Sequence, residues 1–325
     1  MRPLLDRLAV TPAQYRRVAY LTLASLSVIV LTGAAVRLTG SGLGCPDWPK
    51  CYGNALPPIS THALIEFGNR AISALVGVLT VVAVVLAATR RPFRRDLLLL
   101  STLLPLGVVA QAVLGGFTVR EHLAPGFVMA HFSLSMLILI AAVALAWRAR
   151  YEPGARPRSD ERLGVWSVRA LVPLGALTIV AGTAATAAGP HAGGSPGQRI
   201  HRLTFKGADT LTWVVHQHAT IAAVFGVAVI AVWFLMRRRG ATEAVLEPLM
   251  ILGVLLAAQG LVGSVQYELR LPTDMVWVHV SLATASWLVL LWAVAAAGRR
   301  VPAQARVTAS EEPAPPREFE VAGRV

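Results

Sequence analysis

The sequence predicts an all-α integral membrane protein with eight transmembrane helices, arranged as two tandem, parallel-related four-helix bundles. Three observations lead to this prediction. Only 14% of the 325 residues are charged and 55% are hydrophobic, whereas a soluble domain carries about 25% charged residues. Eight apolar runs are each long enough to cross a hydrocarbon layer of about 30 Å as a helix. Motifs of the first half of the chain recur in the second half.

The apolar runs place the spans along the chain. They lie at about 18–38, 63–88, 97–119, 126–148, 166–188, 212–235, 246–266 and 275–298. Arginines cluster near both ends of the chain, including Arg2 and Arg7, and in every second connection, which is typical of cytoplasmic anchors. The net charge of +13 is therefore assigned to membrane topology and not to nucleic-acid binding. Both termini are predicted to be cytoplasmic.

The first span and the last residues of the chain each allow one further prediction. The first span is too long for a cleaved signal peptide, and no A-x-A cleavage site follows it. Residues 299–325 are rich in Pro, Ala, Glu and Arg and are predicted to form a disordered cytoplasmic tail.

An internal duplication divides the chain into two halves, 1–150 and 166–298. The matches are Gly33 with Gly182, Gly40 with Gly189, 71–77 with 220–226, and 131–134 with 279–282, at offsets of 149 residues and, for the last, 148. Each half holds four spans, so both halves cross the membrane in the same direction. The sequence therefore predicts a parallel repeat about an axis along the membrane normal.

All eight histidines fall in outer loops or in the outer parts of the spans. His218 opens the sixth span, His279 lies near the start of the eighth, and His131 is the repeat equivalent of His279. Histidines within spans are usually functional, although any one of them can be an ordinary hydrogen-bonded core residue. The duplication makes these histidines one motif used twice.

The residues around the histidines favour haem over other metal centres. Zinc would require further ligands, and copper would favour Met or Cys companions, which the spans do not place beside these histidines. Two imidazoles on facing helices lined by glycine and alanine suit a flat macrocycle. Arg37 and Arg70 stand at the outer boundary, where haem propionates need cationic partners. Each arginine can instead extend along the helix towards the membrane interface.

The first outer loop, residues 39–62, contains the only two cysteines, Cys45 and Cys51. A pair with this spacing in an oxidising compartment can form a disulfide. The bond is either a structural staple of a short loop or a redox-active pair, the latter favoured by a small ring and by exposure. The sequence leaves both interpretations open.

These motifs together resemble bacterial haem A synthase over residues 18–298. They are G-S-G-L-G-C-P-D-W-P-K-C at 40–51, I-E-F-G-N-R at 65–70, A-H-F-S-L at 130–134 and G-P-H-A-G at 189–193. The resemblance implies that a ring methyl of haem O is oxidised to a formyl group by successive hydroxylations, which gives haem A for haem-copper terminal oxidases.

The resemblance also implies roles for individual residues. A b-type haem in the C-terminal half would be held through His218 and His279. The N-terminal half would bind the haem O substrate, with His131 as iron ligand and Glu66 as the catalytic carboxylate. The cysteine pair of the family corresponds to Cys45 and Cys51, whose redox duty stays open.

Glu66 has a second interpretation, which comes from its spacing. A carboxylate about one turn inside a span is costly in lipid and usually functional. It can accept a proton or stabilise positive charge that develops on the substrate. Alternatively, it pairs with Arg70 one turn later on the same helix. We expect the catalytic role.

The sequence departs from the family pattern at three positions. Asn69 replaces the histidine of the usual E-x-x-H motif, Ala219 replaces the arginine of an H-R pair, and His216 adds a histidine two residues before His218. The repeat aligns His218 with Asn69, so we expect His218, not His216, to face the haem.

The Asn69 departure predicts an asymmetric pair of sites. An amide is a poor iron ligand beside imidazole, so a haem in the N-terminal half is expected to have His131 as its only strong protein ligand. His62 lies seven residues before Asn69, two turns further out on the helix. It is the alternative second ligand.

The sequence thus predicts a haem O oxidoreductase of the plasma membrane, with haem O, a haem O synthase, a membrane electron acceptor and lipid as partners. Nucleic acid is not an expected partner, and homo-oligomerisation is left open. One alternative is a non-catalytic di-haem cytochrome, which would keep two intact histidine pairs. The other is a parallel-repeat transporter, for which broken helices and ionisable groups near the midplane are expected, whereas the polar groups here gather at the outer face.

Overall fold

The computed structural model describes residues 9–300, apart from residues 154, 156, 157, 160, 196 and 199. The predictions made for Arg2, Arg7 and the tail 301–325 lie outside the described residues.

The prediction of eight membrane-spanning helices is confirmed. Eight helices of the described residues are long and apolar enough to cross a membrane. They are α1 (Pro12–Leu38), α2 (Thr61–Thr89), α3 (Arg95–Arg120), α4 (Pro125–Arg150), α5 (Arg162–Ala188), α6 (Thr210–Arg238), α7 (Glu243–Glu268) and α8 (Thr273–Ala296). The connections 39–60, 121–124, 189–209 and 269–272 define what we call the outer end of the molecule. The opposite end is the inner end.

Helix α1 begins six residues before the predicted span because its start is polar. The Thr11 hydroxyl accepts a hydrogen bond from Gln14 N at 3.3 Å, and the Gln14 side chain accepts one from Thr11 N at 2.8 Å. This capping box, with Pro12 at the first helical position, satisfies two free backbone donors. A search for apolar runs overlooks it because Arg16 and Arg17 follow.

Three short elements accompany the helices in the described residues. A single 3₁₀ turn, Gly207–Asp209, precedes α6. Strand β1 (Arg158–Ser159) pairs in parallel with strand β2 (Arg299–Arg300). The two residues of β2 belong to the segment 299–325 that was predicted to be disordered. The prediction is wrong for these two residues, because they pair with the connection between the halves.

Contacts between helices follow two closed circuits, α1 to α4 and α5 to α8. The circuits meet where α1 and α4 pack against α5 and α8. At this junction the indole of Trp287 donates to Met136 O at 3.0 Å, and that of Trp277 donates to Leu31 O at 3.1 Å. These bonds tie α8 to both α4 and α1. Trp287 is buried, and its bond provides the partner that a buried indole N–H usually finds.

The turns at the outer end repeat the same backbone geometry in both halves. His122 and Leu123 have φ values of 49° and 61°, and Arg270 and Leu271 have values of 63° and 64°. In each turn the N–H of the second residue donates to the carbonyl oxygen five residues earlier, at 2.8 and 2.6 Å. Left-handed conformations are rare for such side chains. Their recurrence at an offset of 148 residues supports the internal duplication.

The inner end of the N-terminal half is held by two buried arginines. Arg90 is fully buried and pairs with Glu152. The Arg94 guanidinium donates to both carboxylate oxygens of Asp96, at 3.1 and 2.9 Å, and to Tyr151 O at 2.8 Å. These bonds join the inner ends of α2, α3 and α4. The histidines of the predicted sites and the cysteine loop lie towards the opposite, outer end.

Candidate functional site

His218 on α6 and His279 on α8 face each other in the C-terminal half. Their ring centroids are 6.2 Å apart, and the ring planes are inclined by 70°. His218 Nδ1 lies 3.0 Å from Thr178 O. A carbonyl partner holds the proton on Nδ1 and leaves Nε2 free as a ligand atom.

The separation of the two rings fits a metal bound between them. Bonds of about 2.0–2.1 Å from a metal to two opposing imidazole nitrogens place the ring centres roughly 6 Å apart. The observed 6.2 Å agrees. In addition, His279 Nδ1 is buried and has no hydrogen-bond partner, and unpartnered buried polar atoms are uncommon in proteins. A haem bound through both rings fits these residues.

Three glycines provide the space in which the histidine rings lie. A Cβ atom at Gly182 would come within 3.0 Å of His218 Cε1, and one at Gly263 within 3.1 Å of His279 Cε1. In the N-terminal half, a Cβ atom at Gly115 would lie 3.3 Å from the ring of His131. Any side chain at these positions would push the ring out of place.

The N-terminal half lacks the second ring and has open space in its place. Gly33, the repeat equivalent of Gly182, has nothing within 4 Å of the position of a Cβ atom. Asn69 stands where His218 stands in the other half, and its Oδ1 lies 2.8 Å from the Thr32 hydroxyl. The asparagine is therefore held against α1, and the space beside Gly33 stays open.

His131 is held by its backbone, and its ring has no protein partner. The Gln111 amide donates to His131 O at 2.9 Å and to Ser135 Oγ at 2.6 Å, which fixes this turn of α4 against α3. His131 Nδ1 is buried without a hydrogen-bond partner, as in its repeat equivalent His279. Both rings are thus available to a ligand.

Glu66 is buried and both of its carboxylate oxygens accept hydrogen bonds. Oε1 lies 2.5 Å from Arg70 Nη2, and Oε2 accepts from Cys45 N at 2.7 Å. The alternative interpretation of Glu66, an ion pair with Arg70 one turn later, is therefore what the structure shows. This pair also contacts the cysteine loop, which the helix spacing did not indicate.

Arg70 has different partners from those expected of a propionate ligand. Its guanidinium donates to Asp47 O at 3.1 Å, Lys50 O at 2.9 Å and Cys45 O at 3.2 Å. Together with Glu66, these bonds clamp the cysteine loop onto the outer end of α2. The expectation that Arg70 serves a haem carboxylate is not supported by these contacts.

Cys45 and Cys51 form a disulfide, as the spacing predicted. Both side chains are fully buried, against Ala63 and Phe67 of α2. The expected exposure of the pair is therefore wrong, because the clamp draws the loop down onto the helix. Exposure was one of two reasons for a redox role.

Asp47 closes the tip of the same loop. Its carboxylate accepts hydrogen bonds from Tyr52 N at 2.6 Å and Gly53 N at 2.7 Å. Tyr52 has a φ of 53°, a conformation that needs support in a non-glycine residue. The hydrogen bonds to the charged form, that from Gly53 first, hold the pKa of Asp47 below its usual value.

Trp48 extends the loop over the N-terminal site, which the sequence did not predict. A Cβ atom at Gly116 would come within 2.9 Å of the Trp48 indole, so the indole packs directly on this turn of α3. The adjacent Gly115 faces His131. The adjacent glycines Gly115 and Gly116 were the sequence signal for this packing, since the first leaves space for the His131 ring and the second for the Trp48 indole.

Arg37 reaches from the N-terminal half to the C-terminal half. Its Nη2 donates to Thr186 O of α5 at 3.0 Å. Its Nε is buried and has no hydrogen-bond partner. Arg37 lies in the last turn of α1, next to the outer connection 39–60. This position agrees with the prediction that Arg37 lies near the outer boundary of the membrane.

The two alternative histidines lie away from the ring positions. His62 Nδ1 is 2.9 Å from the buried Ser41 hydroxyl, at the start of the cysteine loop. His216 is exposed, and its Nδ1 lies 2.7 Å from Thr212 O of its own helix. Of the two histidines on α6, only His218 faces His279.

Comparison with known proteins gives a consistent set of relatives. The family model COX15-CtaA, described as cytochrome oxidase assembly protein, matches residues 16–196. A "Protoheme IX farnesyltransferase" of Thermus thermophilus is 30% identical over 288 residues, covering 84% of this chain and 46% of the relative. A "Heme A synthase" of Symbiobacterium thermophilum is 38% identical over 136 residues, covering 40% and 44%. Another "Heme A synthase", of Alkalihalophilus pseudofirmus, is 31% identical over 120 residues, covering 36% and 40%. The chain thus spans less than half the length of these relatives.

Proposed function

This chain belongs to the COX15-CtaA family of cytochrome oxidase assembly proteins, and we propose that it is a haem A synthase, which oxidises a ring methyl of haem O to a formyl group. One observation carries the proposal. The C-terminal half presents two facing imidazoles, 6.2 Å between centroids, and the equivalent place in the N-terminal half presents one imidazole and open space. Two such sites suit a resident cofactor and an exchangeable substrate. The relatives named "Heme A synthase" support the same reaction.

In this proposal the C-terminal half, residues 166–298, holds a b-type haem through His218 and His279. The carbonyl of Thr178 orients the His218 ring, and Gly182 and Gly263 leave space for the two rings. When bound, such a haem supplies one-electron redox chemistry beside the substrate site.

The N-terminal half, residues 1–150, is the proposed site of haem O. His131 is the only strong ligand on the protein side, because Asn69 is a poor iron ligand and lies against Thr32. The open space beside Gly33 leaves the opposite side of the substrate free. A substrate site gains from this arrangement, because the product must leave and a second iron–imidazole bond would slow its release.

Glu66 is the proposed proton acceptor of this site. It lies three residues before Asn69 and therefore on the same side of α2, about one turn further out. Both carboxylate oxygens already receive a donor, but each keeps a second lone pair for a proton released from the substrate. Oxidation of a methyl group to a formyl group releases protons, and Glu66 is the buried carboxylate placed to accept them.

The proposed partners follow from the chemistry of the substrate. Haem O is protohaem that carries a farnesyl-derived chain, so a farnesyl-transferring enzyme must supply it. A relative of this chain is named "Protoheme IX farnesyltransferase", and more than half of that protein lies outside the match. We propose a haem O synthase and a membrane electron acceptor as partners. The arginine pattern supports the further proposal that both termini are cytoplasmic and that both haem sites lie towards the outer face of the plasma membrane.

Extraction of pigments tests the proposed activity. The chain is produced together with a haem O synthase, and the haems of purified protein are separated by chromatography. We expect haem O, a hydroxylated intermediate and haem A, with haem A absent from the His131→Ala variant and present in the exposed His216→Ala variant. Haem O that stays unchanged in a protein with two bound haems would indicate the di-haem cytochrome. A protein without haem would contradict both.

A further inference from the structure

We propose that Arg37, a residue of the N-terminal half, binds a carboxylate of the group held between His218 and His279 in the C-terminal half. The inference rests on the proposed function, since it takes that group to be a haem, whose two propionates are carboxylates. Arg37 is then a positioning residue that links the cofactor of one half to a helix of the other.

The Arg37 side chain runs from the N-terminal half towards the C-terminal half. Its backbone belongs to α1, but Nη2 donates to Thr186 O of α5 at 3.0 Å. Thr186 is also the repeat equivalent of Arg37, at an offset of 149 residues. Contact between equivalent positions occurs only close to the axis that relates the two halves. The guanidinium therefore lies at the junction, on the side of the C-terminal half.

The Arg37 guanidinium also lies at a suitable level relative to the histidine rings. Thr186 follows Gly182 by four residues, which is roughly 6 Å along a helix. Gly182 is the residue against which the His218 ring packs. The guanidinium is thus about one helical turn further out than the ring. The propionates of a haem between the rings extend from one edge of the macrocycle, and an edge turned outwards brings them to this level.

Arg37 has no carboxylate partner for its charge in the described part of the chain. Among residues 9–300 that the structure describes, no carboxylate forms an ion pair with Arg37. Its Nε is buried without any hydrogen-bond partner. Burial of an unpaired charge and of an unsatisfied donor is costly. A bound carboxylate would satisfy both, and a guanidinium presents two parallel donors to such a group.

Among the residues that the structure describes, the C-terminal half offers no arginine of its own for this task. The repeat equivalents of Arg37 and Arg70 are Thr186 and Ala219. The other basic side chains that the structure describes at the outer end of this half, Arg202, Lys206 and Arg270, are exposed. Arg70 is engaged by the cysteine loop. Of the cations in the described part of the chain, Arg37 is therefore the one best placed for the cofactor.

The rate at which haem leaves the protein tests this role without an activity measurement. All variants carry His131→Ala, so that the haem in the C-terminal half alone is followed by its spectrum during transfer to excess apomyoglobin. Arg37→Ala should release haem roughly tenfold to a hundredfold faster, the loss expected for a charge-assisted hydrogen bond. Arg37→Lys should lie between. Arg202→Ala, which removes an exposed cation from the outer end of the same half, should change the rate less than about twofold.

A second measurement changes the ligand instead of the side chain and thereby separates a loss of binding from misfolding. The protein is reconstituted with haem dimethyl ester, in which both propionates are neutral. Protein with Arg37 should release the ester about as fast as Arg37→Ala releases haem, and Arg37→Ala should release haem and ester alike. Such a cycle isolates the interaction between Arg37 and the carboxylate.

The outcomes separate this inference from the proposed function. For each protein, the release rate of the ester is divided by the release rate of haem. If this ratio is the same for Arg37→Ala as for protein with Arg37, the inference is overturned and the proposed function is not affected. An effect of Arg37→Ala that is confined to haem bound at His131, in chains that retain this residue, also overturns the inference. Protein that holds no haem between His218 and His279 contradicts the proposed function and the inference together.

Discussion

Asn69 and His218 occupy equivalent places in the two halves, and their surroundings differ accordingly. His218 takes the carbonyl of Thr178 as partner and packs on Gly182. Asn69 is shorter and lies against Thr32, so the space beside Gly33 stays open. One substitution thus distinguishes a site for two imidazoles from a site for one.

Asn69→Ηis should convert the N-terminal site into a second two-histidine site. The space beside Gly33 accommodates a ring, as the space beside Gly182 does. With haem O bound, the iron should change from high-spin to low-spin, and release of product should slow, because a second iron–imidazole bond must break. Absorption and electron paramagnetic resonance spectra of the loaded protein measure the change, and Asn69→Ala serves as the control that stays high-spin. Low-spin signals from both haems of the unaltered protein, one of them lost in His62→Ala, would contradict this account.

His218→Ala should remove the low-spin b-type spectrum, whereas His216→Ala should leave it unchanged. The reason is geometric, since only the His218 ring faces His279, and His216 is exposed. Visible spectra of the reduced purified variants provide the measurement. Retention of the spectrum in His218→Ala with loss in His216→Ala would show that the other histidine is the ligand.

The repeat alignment identified which histidine on α6 faces inwards, because residues two apart on a helix point to different sides. The partners of Arg37 and Arg70 were not predictable in the same way. Both lie at the right level in their helices, but a long flexible side chain can reach in several directions. The fold of the cysteine loop determines the partners of Arg70, and the packing between the halves determines the partner of Arg37. Neither has a periodic signal in the sequence.

At the scale of elements, charged side chains hold the cysteine loop to α2 and also close its tip. Glu66 and Arg70 hold its backbone to α2, and Asp47 closes its tip. The spans themselves were predictable to within a few residues, because apolar length alone defines a crossing. The loop was not, because its conformation depends on which carbonyl groups the Arg70 guanidinium binds.

Glu66→Gln and Arg70→Ala should separate proton transfer from the clamp. If Glu66 accepts a proton, Glu66→Gln should lower haem A formation about a hundredfold or more, while its amide still contacts the loop. Arg70→Ala removes three bonds to loop carbonyls and should expose the disulfide to reductant. Haem A yield and the rate of disulfide reduction are measured for both variants. If both variants lose the same activity and their disulfides are reduced at the same increased rate, Glu66 has a structural role only.

Asp47→Ala should open the loop tip in a pH-dependent manner. The pKa of Asp47 is lowered in the folded protein, so its contribution is present above the unfolded pKa of about 4 and is lost as the pH falls through the folded value. At pH 7 the variant disulfide should therefore be reduced several-fold faster than that of the unaltered protein. Once the pH has fallen below the folded pKa, the two rates should converge. A phosphine reductant and mass spectrometry measure both, and a constant ratio across this range would contradict the prediction.

At the scale of the whole molecule, the two halves share some structural features and differ in others, and we propose that they serve different purposes. The turns 121–124 and 269–272 share unusual backbone angles, and His131 and His279 share an unpartnered Nδ1. The differences are concentrated at Asn69, at the cysteine loop and at Arg37. The duplication was visible in the sequence because the shared features are motifs. The link between the halves was not, because Arg37 and Thr186 belong to different helices.

The most direct test of this account asks which haem each half retains. The unaltered protein and the variants His131→Ala and His279→Ala are produced with a haem O synthase, and the haems extracted from each purified protein are quantified. We predict that His131→Ala keeps haem B and loses haem O and haem A. His279→Ala should lose haem B and keep haem O bound at His131. Retention of haem O in His131→Ala, or loss of all haems in the same ratio from both variants, would contradict the division into a cofactor half and a substrate half.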